Sequence, residues 1–271
     1  MKFPLTIANK TIEETRRHVV TEFIAKTSIK GFRLGKAPAN LVEAKVGAKA
    51  ITEHVLDHVI PKAYADEVHK QNLKPLTMPK INPTNVKKGE DWTFEVEIAQ
   101  RPTVKLGDYK KYVKAALAKV AKVKPAKDEP PPNPDDDPQL VAMFDILLEK
   151  AACEVPPLLI EEETNNQLNR LVSQIKKLGL SVEKYLASIK TTPEELQKNY
   201  TATATSNLKL EFILDALITD QKIEVSEKDI DALIATVGDE HTKSHLATPR
   251  EREGIKHMLA KRQLVEKLKK L

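Results

Sequence analysis

Two of the seven histidines, His54 and His58, stand four residues apart with Glu53 and Asp57 beside them. On a helix that spacing puts both imidazoles on one face, as a divalent metal would need. The run reads His-Val-Leu-Asp-His, however, without the glutamate of His-Glu-x-x-His, and no third ligand follows it in the sequence. Two ordinary histidines are the simpler reading, so no metal and no cofactor is expected. Cys153, the single cysteine, excludes an internal disulfide framework and a cysteine-based zinc site. Glu154 beside it would raise a thiol pKa, which makes Cys153 an inert, structural residue. There is no Gly-rich phosphate loop, no Gly-x-Ser-x-Gly and no carboxylate pair distinct from ordinary helix surface charge. The chain is therefore not expected to be an enzyme.

One octet concentrates different chemistry: Gly31-Phe32-Arg33-Leu34-Gly35-Lys36-Ala37-Pro38. Its two glycines permit a tight exposed loop, Pro38 can open a following helix, Phe32 can enter an apolar notch, and Arg33 can bind a carboxylate or phosphate with two prongs. Lys26, Lys30, Lys36, Lys45 and Lys49 surround it, and Glu43 is the only acid between residues 26 and 50. A basic tip with an exposed aromatic has the form of a docking surface. The alternative is a plain helix-to-helix turn with Phe32 tucked into its own core.

The elements that would carry this loop read as an α+β head. Phe3, Leu5 and Ile7 alternate with Pro4 and Thr6, and Trp92, Phe94, Val96 and Ile98 alternate with Thr93, Glu95 and Glu97, the period of half-buried strands. Thr11-Ile12-Glu13-Glu14 has the form of a capping box, followed by Ile12, Val19, Val20, Phe23 and Ile24 on one helical face. Two further helices are expected over Ala39 to Val46 and Ala48 to about Asn72. A small antiparallel sheet packed on helices follows.

The second half reads as wholly helical. Thr164, Leu168, Leu171, Ile175 and Leu178 form a narrow apolar seam that Gly179 ends. Thr192-Pro193-Glu194-Glu195, Ser226-Glu227-Lys228-Asp229 and Thr248-Pro249-Arg250-Glu251 are helix starts. The longest helix should run from Pro193 to about Thr219, and the last from Pro249 to the end. That seam reads more readily as buried packing than as a binding surface, because isolated helices need partners.

Between the halves lies a lysine-rich stretch and then Pro130-Pro131-Pro132-Asn133-Pro134-Asp135-Asp136-Asp137-Pro138. Residues 105–138 are expected to form a stiff, extended linker, within which Leu106 to Val123 could make a short helix with too few apolar residues to fold alone. The division is then a head over 1–104, a linker over 105–138 and a helical domain over 139–271. Charge follows it. Residues 1–104 carry 17 basic against 12 acidic residues, 105–127 carry 8 against 1, 128–138 carry none against 5, and 139–271 carry 19 against 21. A basic front half suits an anionic surface, while the body suits something else. No apolar run approaches the length of a membrane span and the N-terminus turns polar at Asn9-Lys10, so a cytoplasmic protein without a membrane partner is expected.

At the octet, Gly-Phe-Arg-x-Gly-Lys-x-Pro resembles the signature loop of the trigger factor family, the bacterial ribosome-associated chaperones. The resemblance extends through Leu5 to Lys30, Gly47, Trp92 to Ile98 and Pro102-Thr103-Val104. It resumes over 139–271, especially at Glu154-Val155-Pro156-Pro157-Leu158-Leu159-Ile160-Glu161-Glu162-Glu163 and Ile223-Glu224-Val225-Ser226. It implies that Phe32, Arg33 and residue 34 dock beside the ribosomal exit tunnel, on a ribosomal protein and rRNA. It further implies that the helical domain holds unfolded nascent polypeptides without ATP, and that the protein can pair as a homodimer off the ribosome. Leu34 stands where many relatives have Lys, with Lys30 and Lys36 flanking. The family usually has a further strand before the one at Phe3 to Ile7, and that strand is not expected in this sequence. Many relatives also carry an FKBP-type prolyl isomerase domain of on the order of 100 residues with an aromatic-lined pocket. Residues 105–138 contain no Phe or Trp, and only Tyr109 and Tyr112. A short form that is chaperone only is expected. The rival readings are a basic RNA-binding protein, with the lysines from Lys105 to Lys127 on phosphates, and a holdase that works without the ribosome.

Overall fold

The structure is a computed structural model that describes residues 1–121 and 137–271. It divides into two compact units, Met1–Arg101 and Pro102–Leu271.

In the first unit, β1 (Lys2–Ile7) and β2 (Lys80–Asn85) flank β3 (Trp92–Glu97) in an antiparallel sheet of order β1-β3-β2. The register sets Phe3 opposite Val96, Leu5 opposite Phe94 and Ile7 opposite Trp92, so the apolar positions of both strands share one buried face. Against that face pack α1 (Asn9–Lys26), burying Ile12, Val19 and Val20, and α3 (Ala48–Lys70), burying Ile51, Val55 and Val59. The short α2 (Ala39–Val46) precedes α3 and buries Val42. The strands and three helices lie where their periodicities put them, except that α1 starts two residues before Thr11. Its first turn uses no capping box. Ala8 is the N-cap, and the Asp91 carboxylate accepts from the Asn9 N–H at 2.8 Å. A cap supplied from 82 residues away leaves no local sequence signal. β2 also escapes notice in the sequence, because Pro83 interrupts it; it is an edge strand with a register shift between Pro83 and Asn85.

The second unit is helical apart from a two-stranded pairing of β4 (Val104–Lys105) with β5 (Ala152–Cys153). Here the expected extended linker through residues 105–138 gives way at both ends. Tyr109, Tyr112, Val113 and Leu117 fall on one face of α4 (Tyr109–Val120), and that face packs with α5 (Pro138–Lys150), α8 (Pro193–Asp220) and α11 (Pro249–Lys269). Too few apolar residues to fold alone are enough when three helices supply the other side. Pro138 starts α5, with the Asp137 carboxylate accepting from the Gln139 N–H at 2.9 Å, an N-cap followed by Pro at the first helical position. The proline-rich residues 122–136 lie outside the described residues.

α6 (Pro157–Lys177) packs along α8, and the short α7 (Val182–Ser188) connects them. Gly179, at φ +70°, closes α6 with two reverse bonds: its own N–H reaches the Lys176 carbonyl at 3.0 Å and the Leu180 N–H reaches the Ile175 carbonyl at 3.1 Å. Thr192 and Ser226 form full capping boxes with Glu195 and Asp229, opening α8 and α9 (Glu227–Ala235). Thr248 precedes α11 without a side-chain cap bond, and α10 (Glu240–Leu246) completes the unit. Val225, Ile230, Ile234, Ile255 and Ala260 make a smaller core near α9 and α11.

Candidate functional site: an exposed basic loop and a helical pair

α1 ends at Lys26, α2 begins at Ala39, and the octet is the connection between them. Two turns shape it: the Phe32 N–H donates to the Ile29 carbonyl at 3.1 Å, and the Lys36 N–H to the Arg33 carbonyl at 3.0 Å. Gly31 and Gly35 take φ of +89° and +79°, the left-handed region that side chains other than glycine's resist. The loop is pinned on its far side by Ala37, which is buried, and by Pro38 as the N-cap residue of α2. Its tip turns outward. Phe32 is 43% exposed and Leu34 59%, so Phe32 is not tucked into the core of its own unit. Arg33, Lys30 and Lys36 are exposed, with no side-chain hydrogen bond or ion pair among the described residues.

The surrounding cations divide into free and engaged. Lys45 donates from Nζ to the Ser28 carbonyl at 2.6 Å, tying α2 to the start of the loop. Lys26 lies 4.0 Å from Glu22, and Lys49 lies 3.9 Å from Glu53, both in exposed i,i+4 pairs. Glu43, the one acid in the region, is held by Arg16 at 2.6 Å. The charge left over at the tip is therefore Lys30, Arg33 and Lys36, interleaved with two apolar side chains. Leu41 of α2, 41% exposed, adds apolar surface just after the octet. Sequence reading had no means of finding it, since α2 is too short to show which face turns outward.

In the second unit the apolar seam of α6 is split. Thr164 and Ile175 are buried, Leu168 and Leu171 are half-buried, and Leu178 is 74% exposed. Leu180 and Ile189, which flank α7, are exposed as well, so the connection between α6 and α8 presents aliphatic side chains to solvent. The rest of the seam is packing. Exposed aliphatic surface at an element's end is suited to shallow contact with an apolar segment, and no aromatic side chain is exposed there to anchor one deeply.

The other reactive residues fall elsewhere. Cys153 sits in β5, half-buried against the main core of the second unit, and burial pushes its thiol pKa up, partly offset by Lys209. Burial, rather than Glu154, is the cause of that rise. His54 and His58 lie on the face of α3 that meets α1, and Glu53 turns instead to Lys49. Among the described residues no helix is long and apolar enough to cross a membrane.

Comparison with known proteins covers both units. The sequence profile described as bacterial trigger factor protein matches residues 1–129, and that described as bacterial trigger factor protein C-terminus matches residues 137–270. Trigger factors of Staphylococcus epidermidis and Staphylococcus aureus are each 33% identical to this chain over 107 residues, 40% of this chain and 24% of theirs. The aligned stretch thus spans about a quarter of those relatives' length. A solved structure described as "Promiscuous Substrate Recognition in Folding and Assembly Activities of the Trigger Factor Chaperone" superposes with a TM-score of 0.62 over 99% of this chain and 96% of its own. At 13% identity that likeness is one of fold.

Proposed function

Because the chain belongs to the trigger factor family, we propose that it is an ATP-independent chaperone that docks on the ribosome through the octet and holds unfolded nascent polypeptides on its helical unit. The observation that carries this reading is the outward placement of Phe32, Arg33 and Leu34 on a loop shaped by two hydrogen-bonded turns and two left-handed glycines. Arg33, with no internal partner among the described residues, is free to bind a phosphate or carboxylate, and Phe32 is free to fill a notch. Lys30 and Lys36 add salt-dependent attraction to rRNA. On the helical unit, Leu178, Leu180 and Ile189 offer client contacts worth about 25 cal/mol per Å² buried, which favours weak and promiscuous holding. The cytoplasm is the corresponding compartment.

Ribosome co-sedimentation at two salt concentrations tests the docking. A charge-assisted hydrogen bond contributes about 1.5–3 kcal/mol, so Arg33→Ala should weaken binding roughly 10- to 150-fold, with Phe32→Ala similar in order. Leu34→Lys should tighten binding and steepen its salt dependence. If Arg33→Ala and Phe32→Ala sediment like the parent, the octet is a structural turn and the docking assignment fails.

The chain acts, in this reading, without prolyl isomerase activity. The two matched segments are separated only by residues 130–136, far short of the on the order of 100 residues an isomerase domain with its pocket requires. Acceleration of a proline-limited refolding reaction by substoichiometric protein would contradict it.

A further inference from the structure

The sequence offers His54 and His58 with no third ligand, but the third and a fourth arrive from another helix. Glu22 and His18, themselves four apart on α1, face the histidine pair of α3. His18 Nε2 lies 3.2 Å from Glu22 Oε1, and His54 Nε2 lies 3.8 Å from Glu22 Oε2. The His58 ring meets His54 edge-on at 5.4 Å between centroids and His18 at 6.4 Å. Ligand atoms of Glu22, His54 and His58 all fall within 4.8 Å of one another. Tetrahedral zinc with bonds near 2.1 Å needs ligand atoms about 3.4 Å apart, which modest side-chain rotation at this partly exposed face can reach.

From this arrangement we infer a divalent transition-metal site that clips α1 to α3, with Glu22, His54 and His58 as ligands and His18 as the fourth. Three imidazoles and one carboxylate are a donor set for Zn²⁺ or Co²⁺ rather than for Mg²⁺ or Ca²⁺, which take oxygen ligands. The surroundings support ligation. With Nε2 of His54 toward the metal, its Nδ1 faces Asp57 Oδ2 at 3.8 Å, the carboxylate that commonly orients a ligating imidazole. The competing cation, Lys26, reaches Glu22 only at 4.0 Å on an exposed side chain, so it is readily displaced. A second acidic and histidine group, Glu211, Asp215 and His257, lacks this freedom, because Lys261 Nζ already occupies Glu211. The octet and α2 both lie in the chain between α1 and α3, the two helices that the metal would join. The site stands whether or not the loop docks on a ribosome.

Titration of the full chain with Co²⁺, followed by visible absorption, tests the site. The expected result is one Co²⁺ per chain with the intense bands of tetrahedral coordination, displaced by Zn²⁺. Affinity should fall at least about tenfold in His58→Ala and in the double variant His18→Ala/Glu22→Gln, and be unchanged in His257→Ala. Because His18 and His58 are exposed, these variants should keep the parent's circular dichroism. Zn²⁺ should raise the unfolding temperature of the parent and not that of the double variant. Absence of tetrahedral bands in the parent, or binding that survives both His58→Ala and the double variant, would overturn the assignment.

Discussion

Lys36 and Lys45 illustrate how one basic patch contains side chains with different work to do. Lys45 already spends its ammonium on the Ser28 carbonyl, whereas Lys36 is free among the described residues. Lys36→Met should therefore lower the salt slope of ribosome binding by about one, the amount expected for one lost phosphate contact, while Lys45→Met should leave the slope nearly unchanged and weaken binding by loosening the loop. Co-sedimentation across a salt series separates the two. Tyr109 marks a different kind of residue, one that reports packing. Its hydroxyl donates to Asp220 Oδ2 at 2.6 Å and accepts from Gln221 Nε2 at 2.6 Å, and burial followed by the Asp220 bond pushes its pKa up to about 12. An unfolded tyrosine ionises near pH 10, so the folded state holds this proton more tightly. The resulting stability is fully present below about pH 10 and is lost as the pH rises toward about 12. Tyr109→Phe should flatten the alkaline fall in unfolding temperature over that window; an unchanged profile would mean that α4 is not packed as described.

At the scale of elements, the α6–α8 pair carries two opposing local features. The Thr164 side-chain oxygen is buried on α6 with no hydrogen-bond partner among the described residues. Replacing a buried, unsatisfied hydroxyl by an isosteric methyl removes a desolvation cost of about 1–3 kcal/mol, so Thr164→Val should raise the unfolding temperature of the helical unit. Gly179→Ala should lower it by about 1 kcal/mol in stability, since φ of +70° strains any other residue there although no neighbour would clash. Differential scanning calorimetry reads both. Most of these elements were legible in the sequence because their signals are local. The alternation in Trp92 to Ile98, the capping boxes at Thr192 and Ser226, and the glycine stop at 179 each need only a few neighbouring residues. The misses share the opposite property. The cap of α1 comes from Asp91, β2 is held through β3 despite Pro83, and α4 acquires its core from α5, α8 and α11. The octet was legible as a loop and as chemistry, but its exposure, the bracing role of Lys45 and the meeting of His54 and His58 with α1 depend on tertiary placement.

For the whole molecule, the useful boundary lies at residues 101 and 102. A fragment over 102–271 keeps β4 against β5 and α4 in the core, whereas one over 139–271 loses Tyr109 and Val113 and leaves their neighbours uncovered. Removing large buried side chains of this kind costs about 2–5 kcal/mol each, so the shorter fragment should unfold at clearly lower denaturant. Suppression of aggregation of an unfolded client should reside in 102–271 and be weak in 1–101; equal protection by both would refute the division of labour. The β4–β5 pairing has one more consequence, for chain length. Because α4 and α5 belong to the same packed unit, the described residues on either side of 122–136, Ala121 and Asp137, are both anchored in it. Whatever is spliced between those two points starts and finishes on one scaffold, and lengthening it costs only a logarithmic closure entropy, about 0.6 kcal/mol per doubling. A segment lengthened between these two anchors should leave the core around Tyr109, Val113, Met143 and Leu147 as it is, since both ends stay fixed in it.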